Sequence, residues 1–199
     1  MRAFAKQLAL AFATLAVAPA LLSFHIRRTV MGADRALEGS SQALACLPGV
    51  LGQYLRRAFL MRVLDECHAS STIEFGTLLS TTAARLGPRV YVGPRCHLGL
   101  VHLEADVLVA AGVHIPSGRR IHGSPDTVGA FGDQPIDRRV VTIGEGAWIG
   151  AAAVVMADVG AGTIVGAGAV VTSPLPPRVV AAGVPARVIR HRDRGEGDR

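Results

Sequence analysis

The clearest pattern of apolar positions runs from Val141 to Arg190. Ile143, Ile149 and Val155, then Val159, Val165 and Val171, stand six residues apart, with a single four-residue step between Val155 and Val159. Gly144, Gly150, Gly160 and Gly166 follow four of them. A period of six fits neither an α-helix nor a plain strand, but it fits short straight edges joined by tight corners. Each aliphatic side chain is expected to point inward, with the small residue behind it letting the backbone turn. Stacked coils of this kind bury one continuous aliphatic core, so the pattern predicts an all-β solenoid. The rhythm begins faintly at Ile73 and Leu79 and is clear at Leu86, Val92 and Leu98. It slips by one residue to Leu103 and continues through Val109, Ile115 and Ile121. Residues 123 to 140 break it, holding Gly, Pro and Asp at turn-like density. An internal loop of about 18 residues is uncommon in a compact domain and usually functional. His122 stands at its root.

The N-terminal pattern is different. Leu8 to Phe24 is apolar except for Thr14 and Ser23, with Arg2 and Lys6 before it and Arg27 and Arg28 after it. A cleaved signal peptide, a transmembrane helix and a helix lying in the membrane interface all compete for this stretch. Pro19 sits awkwardly for cleavage between Ala18 and Ala20. The run is barely the roughly 20 residues that a span needs. An interfacial helix needs no such length, and basic flanks on both sides leave the orientation open. Leu47-Pro48-Gly49 reads as a turn and Gly52 to Leu64 as a helix. That helix sets Arg56, Arg57 and Arg62 among Leu55, Phe59, Leu60 and Leu64, which suits a cap over the first coil or a helix at a lipid surface. The expected organisation is an attachment helix over 1–28, a helical linker or cap over 29–72, the solenoid over 73–190 and a charged, disordered tail over 191–199.

Composition agrees with a narrow core. Half of the 199 residues are hydrophobic, only 5% are aromatic and 23 are glycine, which suits an interior of Val, Ile and Leu with little room for rings. The formal charge of +6 is spread along the chain rather than gathered into a basic run with interleaved aromatics, which argues against nucleic acid as a partner. Anionic lipid or a phosphorylated ligand stays open. Cys46, Cys67 and Cys96 are unpatterned and read as reduced thiols.

Trp148-Ile149-Gly150, Gly166-Ala167-Gly168, Val171-Thr172 and the run from Ala182 to Arg190 (AGVPARVIR) resemble the C-terminal half of hexapeptide-repeat acyltransferases. That superfamily includes the galactoside, maltose and xenobiotic acetyltransferases. The resemblance covers about residues 73 to 190 and is specific over the last fifty. It implies a left-handed parallel β-helix, a homotrimer, and acetyl-CoA bound in a cleft between neighbouring subunits. LPGVLGQYLRRAF, IEFGTLLS and SGRRIHG are similar to a bacterial subgroup linked to surface-polysaccharide modification.

Acyl transfer from a thioester to a hydroxyl needs a base for the hydroxyl proton, and histidine titrates in the right range. It also needs hydrogen-bond donors for the oxyanion. The resemblance places the base just ahead of the extruded loop, which is His122 here. SGRRI makes the approach to it two residues longer than in the sugar acetyltransferases. The same resemblance sets Trp148 beside the pantetheine arm and Arg187 and Arg190 near the CoA phosphates, where a guanidinium fork suits a phosphate. It assigns Gly150, Gly166, Ala167 and Thr172 to the cofactor cleft. Each has a plainer reading: Trp148 as packing, the arginines as tail charges, and His114, His97 and His102 as surface histidines, with His114 the reserve base. Ser117 and Ser124 lack a paired base, which argues against a serine nucleophile.

Two other classes share the fold. A lyase similar to the gamma-class carbonic anhydrases would draw zinc ligands from His97, His102, His114 and His122; a scaffold solenoid would have no chemistry. The C-terminal motifs favour an acetyl-CoA-dependent O-acetyltransferase requiring no metal and acting on a sugar or polysaccharide precursor. Acetyl-CoA is cytosolic, so the catalytic domain is expected at the cytoplasmic face of a bacterial inner membrane. The first helix is then an attachment that the solenoid can lose.

Overall fold

The computed structural model describes residues 2–118 and 138–192, with side chains from Leu8 onward. Four helices precede the solenoid: α1 (Arg2–Ala16), α2 (Ala18–Met31), α3 (Ala33–Ala45) and α4 (Gly49–Val63). The first coil then lays down β1 (Glu66–Cys67), β2 (Thr72–Ile73) and β3 (Leu78–Leu79). The second holds β4 (Arg85–Leu86), β5 (Tyr91–Val92) and β6 (His97–Leu98), and the third β7 (Val101–Leu103), β8 (Leu108–Val109) and β9 (His114–Ile115). After the extruded segment come β10 (Val141–Ile143), β11 (Trp148–Ile149) and β12 (Val154–Val155), then β13 (Ile164–Val165) and β14 (Val170–Val171). β15 (Val179–Gly183) and β16 (Ala186–His191) close the stack as an antiparallel pair.

Strands of successive coils pair in parallel to give three sheets, in the orders β1-β4-β7-β10, β2-β5-β8-β11-β13-β15-β16 and β3-β6-β9-β12-β14. This is a parallel β-solenoid of about five turns. The last residue of each strand from β1 to β14 points inward. Ile73, Val92, Val109, Ile149, Val165 and Ala181 form one inward column, and Leu79, Leu98, Ile115, Val155 and Val171 another, none more than 2% exposed. Cys67, Leu86, Leu103, Ile143, Val159 and Leu175 form the third. Burying each aliphatic side chain is worth about 1.5–3 kcal/mol, so the columns hold the coils together.

The glycines behind the inward residues serve a purpose other than turning. Left-handed backbone falls two residues later, at Gly146 (φ 64°), Gly162 (φ 63°) and Gly168 (φ 66°), and equally at Arg89, Arg95, Asp106, Ala152 and Arg178. Gly150 instead lies under the next coil, where a Cβ would stand 2.5 Å from Ala167 N and 2.7 Å from Gly166 C. Close stacking of coils, not corner geometry, demands glycine there.

Every irregular spacing falls on one corner. The inward positions are six apart along each coil, but the step to the next coil is seven from Leu79 to Leu86, five from Leu98 to Leu103 and four from Val155 to Val159. The extruded segment leaves at that same corner, between Ile115 and Val141. Ile121 lies outside the described residues.

The N-terminal region differs from a single attachment helix followed by a linker. Pro19 has no N–H to donate, so it is accommodated only in the first turn of α2. The chain bends by 50° between Ala16 and Ala18. α2 continues past residue 28 to Met31, and α3, within the stretch expected as a helical linker or cap, buries Ala36, Leu37, Ser40 and Ser41. Ala13, Val17 and Phe24 join the core that runs on through Phe59 into the coils, with the Phe24 and Phe59 rings edge-on at 5.9 Å. α4 covers the first coil. Its Arg56, 2% exposed, donates to the carbonyls of Ile73, Leu44 and Leu47; burial lowers its pKa, against a raising effect of Glu74. It therefore pins the cap to the solenoid rather than facing lipid.

Candidate active site

The frame of the site is set where the extruded segment leaves and re-enters. Ser117, nearly buried, accepts from Leu100 N at 2.9 Å through its Oγ and from Arg139 N at 2.9 Å through its carbonyl. Gly118 follows with φ 92°. The two ends of the segment thus meet across one hydrogen bond. A cleft of about 400 Å³ opens beside them, lined by Gly118, Arg139, Val140, Met156, Ala157, Asp158 and Pro174. Asp158 is fixed at its rim, its carboxylate accepting from Thr142 N at 2.7 Å. His122 and Ser124 lie outside the described residues, so what the structure places is the two roots of the segment that carries them.

The other candidate histidines, His97, His114 and His102, divide between two faces. His97 and His114 are successive outward residues of the β3-β6-β9-β12-β14 sheet, with rings edge-on and centroids 6.1 Å apart. Burial lowers the His97 pKa, and the neighbouring His114 lowers it further against a raising effect of Glu38. His102 points out from a different sheet, between Arg85 and Thr142. Among the described residues no three metal-binding side chains converge. The two buried thiols are poor nucleophiles: Cys67 and Cys96 are free, burial pushing Cys67 up to about 11 and Cys96 upward.

The residues assigned to the cofactor fall into three groups. Trp148, half exposed, stands on the outer face of the seven-stranded sheet in a row that reads Tyr91, Leu108, Trp148, Ile164, Val180 and Arg190. Neighbouring strands lie about 4.8 Å apart, so the Trp148 and Arg190 backbones are about 14 Å apart across two aliphatic residues. Arg187 pairs with Ala182 and joins the same face; its guanidinium bonds the Ala186 carbonyl at 3.0 Å. Gly150, Gly166 and Ala167 form the stacked corner beside that sheet, where packing already explains the two glycines. Thr172, just after β14, lies on the corner of irregular spacing and away from the Trp148 face.

The sequence reading missed the apolar row around Trp148, although taking the residue before each inward aliphatic would have found it. It also missed Asp34 and Arg138, which meet across 104 positions of chain and leave no local signal.

No family model matches the chain. The galactoside O-acetyltransferase of Escherichia coli (strain K12) is 30% identical over 168 residues, covering 71% of this chain and 80% of that one. Among solved structures, a maltose O-acetyltransferase from Clostridium difficile 630 matches with a TM-score of 0.65 at 19% identity, over 80% of this chain and 88% of the other. A galactoside acetyltransferase in complex with coenzyme A matches with a TM-score of 0.62 at 23% identity, over 82% and 84% of the two chains. The solenoid matches their left-handed β-helix fold.

Proposed function

We propose a sugar-modifying reaction for this chain, which belongs to the galactoside O-acetyltransferase family and is an acetyl-CoA-dependent O-acetyltransferase. The acceptor is a hydroxyl of a sugar or polysaccharide precursor. Identity of 30% with a galactoside O-acetyltransferase is the observation that carries this reading.

Acetyl-CoA supplies an acetyl group already activated as a thioester. The acceptor oxygen bonds the acetyl carbon as the carbon–sulfur bond breaks. His122 takes the hydroxyl proton and returns it to the departing sulfur, so no covalent enzyme intermediate is needed. What supports this reading is that Ser117 and Arg139, at the two ends of the segment that bears His122, meet beside the cleft. The row from Trp148 to Arg190 suits the cofactor chemically: an apolar strip for the pantetheine arm that ends in a guanidinium for phosphate. Gly150, Gly166 and Ala167 line its edge in this reading, whereas Thr172, away from the Trp148 face, does not. The working enzyme is a homotrimer whose neighbouring subunit covers the exposed apolar row. It attaches to the cytoplasmic face of a bacterial inner membrane through its N-terminal helices.

The test is kinetic. His122→Ala lowers acetyl transfer by about 100- to 10,000-fold while coenzyme A binding and assembly persist. Unchanged transfer by that variant together with an inactive His114→Ala moves the base to His114. Mass spectrometry of cell-surface glycans with and without the protein identifies the acceptor, and unaltered glycans would refute the sugar assignment.

A further inference from the structure

We propose that α1 and α2 lie in the plane of an anionic bilayer surface, their outer face immersed at the headgroup boundary, and do not cross the membrane. This rests on the membrane-attachment reading above and adds its geometry.

Length argues first. α1 has 15 residues and α2 has 14; at 1.5 Å per residue they reach about 22 and 21 Å, against a hydrocarbon core of about 30 Å. Among the described residues no single helix is long and apolar enough to cross, and the pair that together would suffice is bent by 50°.

Commitment of one face argues more strongly. Ala13, Val17 and Phe24 are already buried in the protein core. Arg27 reaches from α2 to α3, donating to Ala36 O at 2.9 Å and to Ser40 Oγ at 2.6 Å. α3 is in turn locked to the coils, since Ser41 Oγ accepts from Leu79 N at 2.9 Å. Threading α2 through hydrocarbon would strip Arg27 from its partners, drag the polar helix α3 toward lipid and uncover Phe59. Docking flat breaks none of these contacts.

The opposite face is built for lipid. Phe12 and Leu15 on α1, and Leu22, Ile26 and Val30 on α2, are each more than half exposed. They recur three or four residues apart, which makes one stripe along each helix. Residues 1–33 contain no Asp or Glu and carry Arg2, Lys6, Arg27 and Arg28. Cationic apolar helices complement anionic headgroups; a second copy of the chain would bring the same positive charge to the contact, which disfavours it as the occupant.

The experiment uses the full chain with sealed vesicles of phosphatidylcholine alone or mixed with phosphatidylglycerol. Sedimentation with the anionic vesicles is expected, and Leu15→Glu with Ile26→Glu should weaken it about tenfold or more. Both positions are exposed, so thermal melting and acetyl transfer to a soluble acceptor should persist in the variant. In a Cys46→Ser background, Gln7→Cys and Thr29→Cys should both react with a membrane-impermeant maleimide added outside. Vesicle binding with only one of the two positions labelled overturns the in-plane geometry but keeps the attachment. Absence of vesicle binding overturns both. A smaller assembly in the glutamate variant without vesicle binding assigns the face to a second copy. Loss of acetyl transfer by wild-type protein in solution would bear on the enzymatic reading alone.

Discussion

Arg138 donates from Nη1 to Asp34 Oδ2 at 3.0 Å, while the other oxygen of Asp34 accepts from Thr82 N at 2.9 Å and from the Thr81 and Thr82 hydroxyls at 3.1 Å each. One carboxylate thereby joins the first turn of α3, the corner after the first coil and the returning root of the extruded segment. The ion pair is partly exposed and worth at most about 1 kcal/mol. Leaving Thr82 N without its acceptor costs about 1–3 kcal/mol if it stays shielded from water. Asp34→Ala should therefore lower the melting temperature more than Arg138→Ala. If the clasp positions the segment bearing His122, Arg138→Ala should lower kcat with little change in melting temperature. Equal melting temperatures for the two variants would refute this division of roles.

Phe24 binds α2 to the solenoid cap through Phe59. Deleting residues 1–28 cuts through α2 and uncovers Phe59, so the truncated protein should be less stable than the full chain. Phe24→Ala alone should cost about 3–5 kcal/mol, read from chemical denaturation. A truncation with unchanged stability would restore the view of this region as a dispensable anchor.

The two kinds of glycine in the solenoid should respond differently to alanine. Gly150→Ala puts a Cβ within 2.5 Å of backbone in the next coil, and overpacking against backbone costs about 1–3 kcal/mol or more. Gly146 meets nothing within 4 Å, so Gly146→Ala carries only its left-handed backbone cost of about 1–2 kcal/mol. Ala152 occupies the same corner position with φ 56°. Denaturation midpoints should place Gly150→Ala as the more damaging change.

His97 makes stability pH-dependent. Its folded pKa lies below the ordinary value of 6.5, through burial first and His114 second. The unfolded chain therefore binds more protons in the window between the lowered folded pKa and 6.5, and stability rises with pH across it. This contribution is complete above about 6.5 and is lost as pH falls toward the folded value. Glu38 opposes the shift, so Glu38→Gln should lower the His97 pKa further. Histidine titration by NMR measures both effects, and a His97 pKa above 6.5 would contradict them.

Arg187 and Arg190 should discriminate between cofactor forms. Charged hydrogen bonds to phosphate are worth about 1.5–3 kcal/mol, or about ten- to hundredfold in affinity. Replacing both with glutamine should raise the Kd for coenzyme A much more than that for dephospho-coenzyme A. Equal weakening would place the 3′-phosphate elsewhere.

The repeat positions from Ile73 to Val171 determined the solenoid without reference to anything distant, because a coil of fixed period buries the same position in every turn. The slips in that period, at Leu103 and Val159, already marked the corner from which the segment of residues 116–140 emerges. Resemblance in the Trp148 and Arg187 motifs carried the chemistry as well. Tertiary structure decided what no period encodes. Gly150 is glycine because another coil lies over it, and Arg56 is buried because carbonyls of Leu44, Leu47 and Ile73 converge on it. Leu8 to Phe24 reads as one apolar run, yet only packing on α3 and α4 divides it into a face sealed against Phe59 and a face left open. Asp34 and Arg138 meet across more than half the chain. Such contacts arise from the closing of the fold, and composition or spacing at either end holds no trace of the other.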